Sequence, residues 1–126
     1  MKWNIPVEKY KDYCLDSGAT CHVTNDLKGL QDIEDVNTKI MVAQNSTCKA
    51  TKCGSLNLKI FGLPAEMRVK LKRVYFVQEF NKNIVSIKQL TKDNYEVSFK
   101  RNTCEIMTPS GGTLRISNDN DGMFYI

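Results

Sequence analysis

The sequence predicts a mainly β fold with one short helix, and three observations support this prediction. Apolar residues alternate with polar ones in several short segments, as at Leu56, Leu58 and Ile60, and this period of two is typical of a strand with one buried face. Glycine, proline and asparagine occur between these segments and indicate turns. A single helix start is visible, where Ser86 is followed three residues later by Gln89, as in a capping box.

The predicted elements follow one another with short polar connections. A short apolar strand is predicted at residues 13–15, and a hairpin is predicted around a polar turn at residues 44–47. The helix is expected near residues 86–93 and ends before Asn94. Further strands are predicted at residues 56–60, 69–76, 95–99, 104–106, 114–116 and 123–126.

One strand contains a shift in its alternation. Val69 and Leu71 are two residues apart, whereas Val74 and Phe76 resume the pattern one residue late, after positions 72–73. A strict period of two cannot keep both halves facing the same core across such a shift. The sequence therefore predicts a β-bulge at this point.

Composition and charge narrow the range of functions. The chain has 126 residues, of which 41% are hydrophobic and 25% are charged, as in an ordinary globular domain. The net charge of +4 comes from basic residues spread along the chain, so we expect no direct nucleic-acid binding. No apolar run is long enough for a membrane span or a signal peptide, so we expect no membrane association.

The cysteines are typical of a reducing compartment. They are odd in number and widely spaced, which favours reduced thiols over a disulfide framework. Zinc ligands usually occur in close pairs, and the chain has one histidine, so we expect no metal site. The five are Cys14, Cys21, Cys48, Cys53 and Cys104.

The most informative stretch is Asp16-Ser17-Gly18-Ala19, which follows the first apolar strand. Taken alone it also fits a tight turn, because aspartate and serine favour turns and glycine allows unusual backbone angles. Its position before a series of short strands, with a hydrophobic segment opening the helix some 70 residues later, favours a functional role over a simple turn.

Three stretches together resemble the aspartic proteases of copia-type retrotransposons, relatives of the retroviral retropepsins. They are YCLDSGATCHVT at residues 13–24, VYFV at residues 74–77 and NIVSIKQL at residues 83–90, and the tail at residues 122–126 is also similar. The resemblance implies the acid protease fold, a closed β-barrel, in one domain over residues 1–126. The core would span about residues 10–94, and about residues 95–126 would form an extension with an extra C-terminal β-hairpin.

The same resemblance implies the chemistry. Two carboxylates about 3 Å apart share one proton, so that one acts as an acid and the other as a base on a bound water. This chain has a single Asp-Ser-Gly sequence, so Asp16 would pair with the Asp16 of a second copy across a two-fold axis. A homodimer is therefore expected, and neither a metal nor a cofactor is needed.

Roles for neighbouring residues follow from the resemblance as well. Ser17, Gly18 and Ala19 would support the active-site loop. A flap at residues 44–47, here without glycine, would close over the substrate, and residues 77–83 would form a specificity loop. The expected substrate-binding residues are Thr20, Gln44, Asn45, Ser46 and Ile84.

Two departures from the retroviral pattern affect the expected dimer. Ser86 stands where the retroviral proteins have glycine, and helix capping gives that serine a local reason. Thr20 and Ile87 stand where the retroviral proteins have an acid and an arginine that support the dimer. Because both charges are absent together, no buried charge is left unpaired, but we expect weaker association.

The predicted function is that of an aspartic endopeptidase that cleaves its own Gag-Pol polyprotein in the cytoplasm, within virus-like particles. An alternative is a β-barrel of the same lineage that no longer cleaves and serves as a structural or interaction module. An RNA-binding β domain is disfavoured, because the basic residues do not cluster with aromatic ones. The single histidine, His22, is expected to be structural, with a substrate-contacting role as the alternative.

Overall fold

The computed structural model describes residues 13–43, 46–118 and 122–126. Strands dominate these residues, with one short helix among them, which confirms the predicted mainly β class. The elements are β1 (Tyr13–Asp16), β2 (His22–Thr24), β3 (Gln31–Ala43), β4 (Ser46–Ile60), β5 (Met67–Phe76), β6 (Asn83–Ser86), α1 (Ile87–Lys92), β7 (Glu96–Phe99), β8 (Thr103–Met107) and β9 (Thr113–Ser117).

Nine strands form two sheets in the described chain. The larger sheet has the order β1-β6-β2-β5-β4-β3, and the smaller one has the order β7-β8-β9. The pairs β1/β6 and β2/β5 are parallel, while the remaining pairs are antiparallel. Within the described residues neither sheet closes on itself, so the closed barrel stays a prediction.

The predicted bulge is present in β5. Leu56 lies opposite Leu71 and Gly54 lies opposite Val74, so Ser55 faces two residues of β5 instead of one. These two, at positions 72–73, are both exposed, while Leu71 and Val74 are both buried. The bulge thus keeps both halves of β5 facing the core, as the shift in alternation indicated.

The smaller sheet packs on the larger one through a shared apolar cluster. The predicted C-terminal hairpin, with a strand at residues 95–99 and a return strand at residues 104–106, is the β7/β8 part of a three-stranded antiparallel sheet that also includes β9. Its buried side chains are contiguous with those of β4 and β5 in one core. Core residues include Ile60, Val69, Leu71, Val74, Cys104, Ile106, Leu114 and Ile116.

The C-terminal segment binds the free edge of β1. Tyr13 N–H donates to the Ile126 carbonyl at 3.0 Å, Ile126 N–H donates to the Tyr13 carbonyl at 2.7 Å, and Leu15 N–H donates to the Phe124 carbonyl at 2.9 Å. The predicted strand at residues 123–126 is therefore reduced to a short bridge centred on Tyr125. With β6 on its other side, β1 has backbone hydrogen bonds along both edges.

The helix begins and ends where the sequence predicts, but only half of the predicted capping box forms, because Ser86 N–H donates to His22 Nδ1 and not to the Gln89 side chain. Ser86 is the N-cap, and its Oγ accepts a hydrogen bond from Gln89 N–H at 3.0 Å. Leu90 is buried, and Ile87 packs partly buried against the core. Asn94 follows the end of the helix with φ of 71°, a left-handed conformation that asparagine tolerates well.

Gly62 gives the first testable prediction, because it lies where the two sheets meet. A Cβ there would lie 2.5 Å from the Arg115 carbonyl oxygen and 3.0 Å from side-chain atoms of Leu114 and Ile116. That carbonyl already accepts a backbone hydrogen bond and cannot retreat freely. Gly62→Ala is therefore expected to lower the free energy of unfolding by about 1–3 kcal/mol, measured by urea denaturation.

Gly112→Ala is the matched control. The nearest atom to a Cβ at this position would be 3.4 Å away, so the same substitution is expected to change stability far less. Equal urea midpoints for the two variants would contradict the close packing at Gly62.

Candidate active site

Asp16 is the last residue of β1 and is half-buried. Its Oδ1 accepts a hydrogen bond from Gly18 N–H at 2.7 Å, and this bond fixes the orientation of the carboxylate. A Cβ on Gly18 would come within 3.3 Å of the same oxygen, so glycine suits this close approach. Ser17 and Gly18 are exposed, and Ala19 is fully buried.

Ser86 supports this loop from behind. Its Oγ donates to the Ala19 carbonyl at 2.7 Å while accepting from Gln89 N–H. The parallel pairing of β1 with β6 places Ser86 opposite Asp16 in the register. The departure from glycine at position 86 therefore provides a side-chain link between the loop and the start of α1.

Thr20 connects the loop to the β3/β4 hairpin. Its hydroxyl donates to the Met41 carbonyl at 3.1 Å, and the side chain is exposed. Ile87 is half-buried and packs on the core. The two positions that lack the retroviral charges are thus occupied by a hydroxyl with a partner and by an apolar side chain.

A cleft of about 470 Å³ opens at Asp16. Its walls come from the end of β1, the β3/β4 hairpin, the loop after β5 and the start of β6. The lining residues are Asp16, Val42, Ser46, Thr47, Cys48, Phe80, Asn81, Lys82 and Ile84. The hairpin and the loop therefore both contribute walls to the cleft that contains the Asp16 carboxylate.

The cleft brings together part of the predicted set. Asp16, Ser46 and Ile84 line it, whereas Thr20 contacts the hairpin. Gln44 and Asn45 lie outside the described residues. The predicted supporting residues Ser17, Gly18 and Ala19 form the loop next to Asp16 without lining the cleft.

Sequence reasoning missed two hairpin residues in the cleft wall, Val42 and Cys48, whereas Thr47 falls within the predicted flap at residues 44–47. The alternation of Ile40 and Val42 was visible, but it does not reveal that the end of the hairpin reaches Asp16. The loop residues Phe80, Asn81 and Lys82 fall within the predicted specificity loop at residues 77–83.

The neighbouring Cys21 and His22 are poorly suited to nucleophilic chemistry. Burial lowers the pKa of His22 to about 4, so the imidazole is a weak base at neutral pH. Burial also raises the pKa of the Cys21 thiol, which disfavours the thiolate. His22 has no exposed surface, which agrees with the structural interpretation of this histidine.

A second cleft, of about 310 Å³, lies away from Asp16 and contains none of the predicted site residues. It is lined by Asp32, Glu34, Cys53, Gly54, Ser55, Lys70, Lys72 and Arg73. In the described ranges, no three histidine, cysteine or acidic side chains are grouped in a way that could hold a metal ion. No helix in those same ranges has the length and apolarity to cross a bilayer.

Comparison with known protein families assigns the part of the chain that contains the Asp16 loop. Residues 13–95 match the family described as "Pol polyprotein, beta-barrel domain", and the chain belongs to this family. The matched range includes β1 to β6 and α1 and ends just before β7.

A curated relative shows the source of such domains. The chain is 33% identical over 86 residues to the "Retrovirus-related Pol polyprotein from transposon RE2" of Arabidopsis thaliana. The match covers 66% of this chain and 6% of that polyprotein, so the chain spans a small part of its relative's length. The chain is therefore a domain of the Pol polyprotein β-barrel family, and it is similar to a short segment of a retrotransposon polyprotein.

Proposed function

We propose that this domain is the aspartic endopeptidase of a copia-type retrotransposon and that it cleaves its own Gag-Pol polyprotein. The observation that supports it best is the placement of Asp16. Its carboxylate is oriented by Gly18 N–H at 2.7 Å and opens into a cleft bounded by a hairpin and a loop. Of the described side chains that line this cleft, Asp16 alone carries a carboxylate.

The reaction requires two carboxylates, and the described residues of one chain supply one at this cleft. A homodimer places two Asp16 side chains at a two-fold axis, where they share a proton and hold the attacking water between them. The ionised carboxylate removes a proton from the water, and the protonated one donates to the scissile carbonyl. The water oxygen bonds to the carbonyl carbon and gives a tetrahedral diol. The carboxyl that took the proton from water then passes it to the leaving nitrogen as the peptide C–N bond breaks, and a diol hydroxyl returns a proton to the other carboxylate.

The cleft fits an extended peptide of the polyprotein. Ser46 on the hairpin, together with Gln44 and Asn45, is proposed to contact the substrate backbone, and Ile84 offers an apolar wall. Thr20 would hold the hairpin near the loop through the Met41 carbonyl. The proposal includes the closed acid protease barrel, with the core over about residues 10–94 and an extension over about residues 95–126.

We also propose where the enzyme acts and that it needs no cofactor. The enzyme would act in the cytoplasm within virus-like particles, on protein substrates, without a metal, a cofactor, a membrane or direct contact with nucleic acid. Because Thr20 and Ile87 provide no ion pair, the dimer is proposed to be weak.

The pH profile of cleavage tests the shared-proton mechanism. A purified Gag-Pol fragment incubated with the protein is expected to be cut at defined positions, with a bell-shaped dependence of rate on pH. Activity should fall on the alkaline side as the pair loses its shared proton, and a chelator should have no effect. Gel electrophoresis and mass spectrometry of the products measure both.

Two outcomes would contradict this chemistry. Strong inhibition by a chelator, or a rate that still rises above neutral pH, would indicate a different mechanism. Binding of the Gag-Pol fragment without any cleavage at protein concentrations well above the dimerisation midpoint would instead support the non-catalytic module.

A further inference from the structure

His22 is held by one defined hydrogen bond in the interior of the larger sheet. The side chain is fully buried, and its Nδ1 accepts from Ser86 N–H at 3.0 Å. A backbone amide can only donate, so Nδ1 must carry a lone pair, and the proton of the neutral ring lies on Nε2. The geometry therefore fixes both the charge and the tautomer of His22.

Ser86 transmits this constraint to the Asp16 loop. Its N–H donates to His22, and its Oγ donates to the Ala19 carbonyl at 2.7 Å. Ala19 directly follows Gly18, whose N–H orients the Asp16 carboxylate. His22 thus reaches Asp16 through two hydrogen bonds and the backbone of the loop.

We propose that neutral His22 is a positioning residue of the Asp16 site and that its protonation releases Ser86 and inactivates the enzyme at acid pH. This inference rests on the proposed protease function. It assigns a role to a side chain that neither lines the cleft nor contacts the substrate.

Protonation conflicts with the observed contacts in two ways. A protonated ring has a donor at Nδ1, which would face the Ser86 N–H, and two donors repel each other. Nε2 has no hydrogen-bond partner among the described residues, so the cation gains no compensating acceptor. The hydrogen bond between β2 and β6 must then break for the ring to become charged.

The ionisable groups around His22 do not offset this cost. Burial lowers its pKa to about 4, and Asp93, just after α1, opposes that shift only in part. Cys21 precedes it on the same segment, Arg73 on β5 is exposed, and β6 carries no ionisable side chain. Since the folded pKa lies below the ordinary 6.5, this contribution to stability is complete above pH 6.5 and is lost as the pH falls through about 4.

Nuclear magnetic resonance of the imidazole nitrogens tests the geometry without any need for activity. His22 is the single histidine of the chain, so its signals need no assignment by mutation. In the inactive Asp16→Asn protein we expect an unprotonated Nδ1 and a protonated Nε2 at pH 7, with a titration midpoint at about 4. A proton on Nδ1 at pH 7, or a midpoint at 6.5, would overturn the inference.

The acid limb of the cleavage profile tests the positioning role. In His22→Asn, the asparagine side chain offers a carbonyl oxygen near the position of Nδ1 but takes up no proton. The acid limb of this variant should therefore lie about one pH unit below that of the wild type, toward the lower pKa of a carboxyl pair. Val23→Ala, on the same strand and fully buried, removes packing without changing a titrating group. The acid limb of Val23→Ala should lie at the same pH as that of the wild type when each profile is normalised to its own maximum.

The outcomes separate the two proposals. An acid limb that is the same in His22→Asn and wild type would overturn the positioning role, and so would an equal shift in Val23→Ala. Failure of the wild type to cleave at any pH would contradict the protease function itself, while the imidazole measurement would still report the tautomer and the midpoint. If His22→Asn does not fold, the wild-type acid limb is compared with the measured titration midpoint of His22. An acid limb that does not coincide with this midpoint would overturn the positioning role.

Discussion

Replacing Asp16 by asparagine is expected to lower cleavage of a Gag-Pol fragment roughly 100-fold or more. The amide has almost the same shape as the carboxylate and can still accept from Gly18 N–H, so the loop should keep its conformation. It cannot take a proton from water, however, and the described residues that line the cleft include no second carboxylate. Initial rates on the fragment, with circular dichroism to verify folding, measure the effect.

Asp35→Asn is the matched control for this substitution. Asp35 is exposed on β3, and its carboxylate pairs with Lys52 outside the Asp16 cleft. Exposed pairs of this kind contribute little to stability, so the control should retain nearly full activity. Residual cleavage above about one per cent in a folded Asp16→Asn protein would reject Asp16 as the catalytic group.

Specific activity is expected to fall steeply when the enzyme is diluted. Each chain holds half of the catalytic pair, so the active fraction is the dimeric fraction, which rises with protein concentration. Without an ion pair at Thr20 and Ile87, we expect a dissociation constant in the micromolar range or weaker, about 8 kcal/mol or less. Below that concentration, a roughly hundredfold dilution should reduce specific activity by a similar factor.

Mixed dimers provide the control for the dilution series. At total concentrations above the dimerisation midpoint, excess Asp16→Asn should capture wild-type chains in inactive pairs and suppress cleavage. An excess of Asp35→Asn should not suppress it. A flat specific activity on dilution, together with no suppression by the Asp16 variant, would refute the shared carboxylate pair.

Much of the fold could be predicted because burial leaves a regular pattern in the sequence. The strands that flank the core, the bulge at residues 72–73 and the N-cap Ser86 were all visible as local patterns. The first half of β3 was not, because residues 31–35 are exposed on both faces and show no alternation. The three residues of β2 form too short a segment for a period to be recognised.

The sequence predicts the carboxylate at the site, but it predicts only some of the residues that line the cleft. The Asp16 loop carries a local sequence pattern, whereas the contact of Val42 and Cys48 with the cleft depends on how far the hairpin reaches over the sheet. The link from His22 through Ser86 to Ala19 joins three separate segments. No periodicity in one segment can reveal such a link, because it depends on the parallel register of β1 with β6.

The pairing of Tyr13 with Ile126 also bears on when the site can form. The strand that ends at Asp16 receives one of its two neighbours from residues at the opposite end of the described chain. Closing so long a loop costs chain entropy and slows the pairing, so we expect this edge of β1 to pair late in folding. During synthesis on the ribosome, β1 would therefore remain incompletely paired until residues 122–126 had emerged. Such timing would leave the edge of β1 opposite β6 unpaired while the preceding part of the described chain was being made.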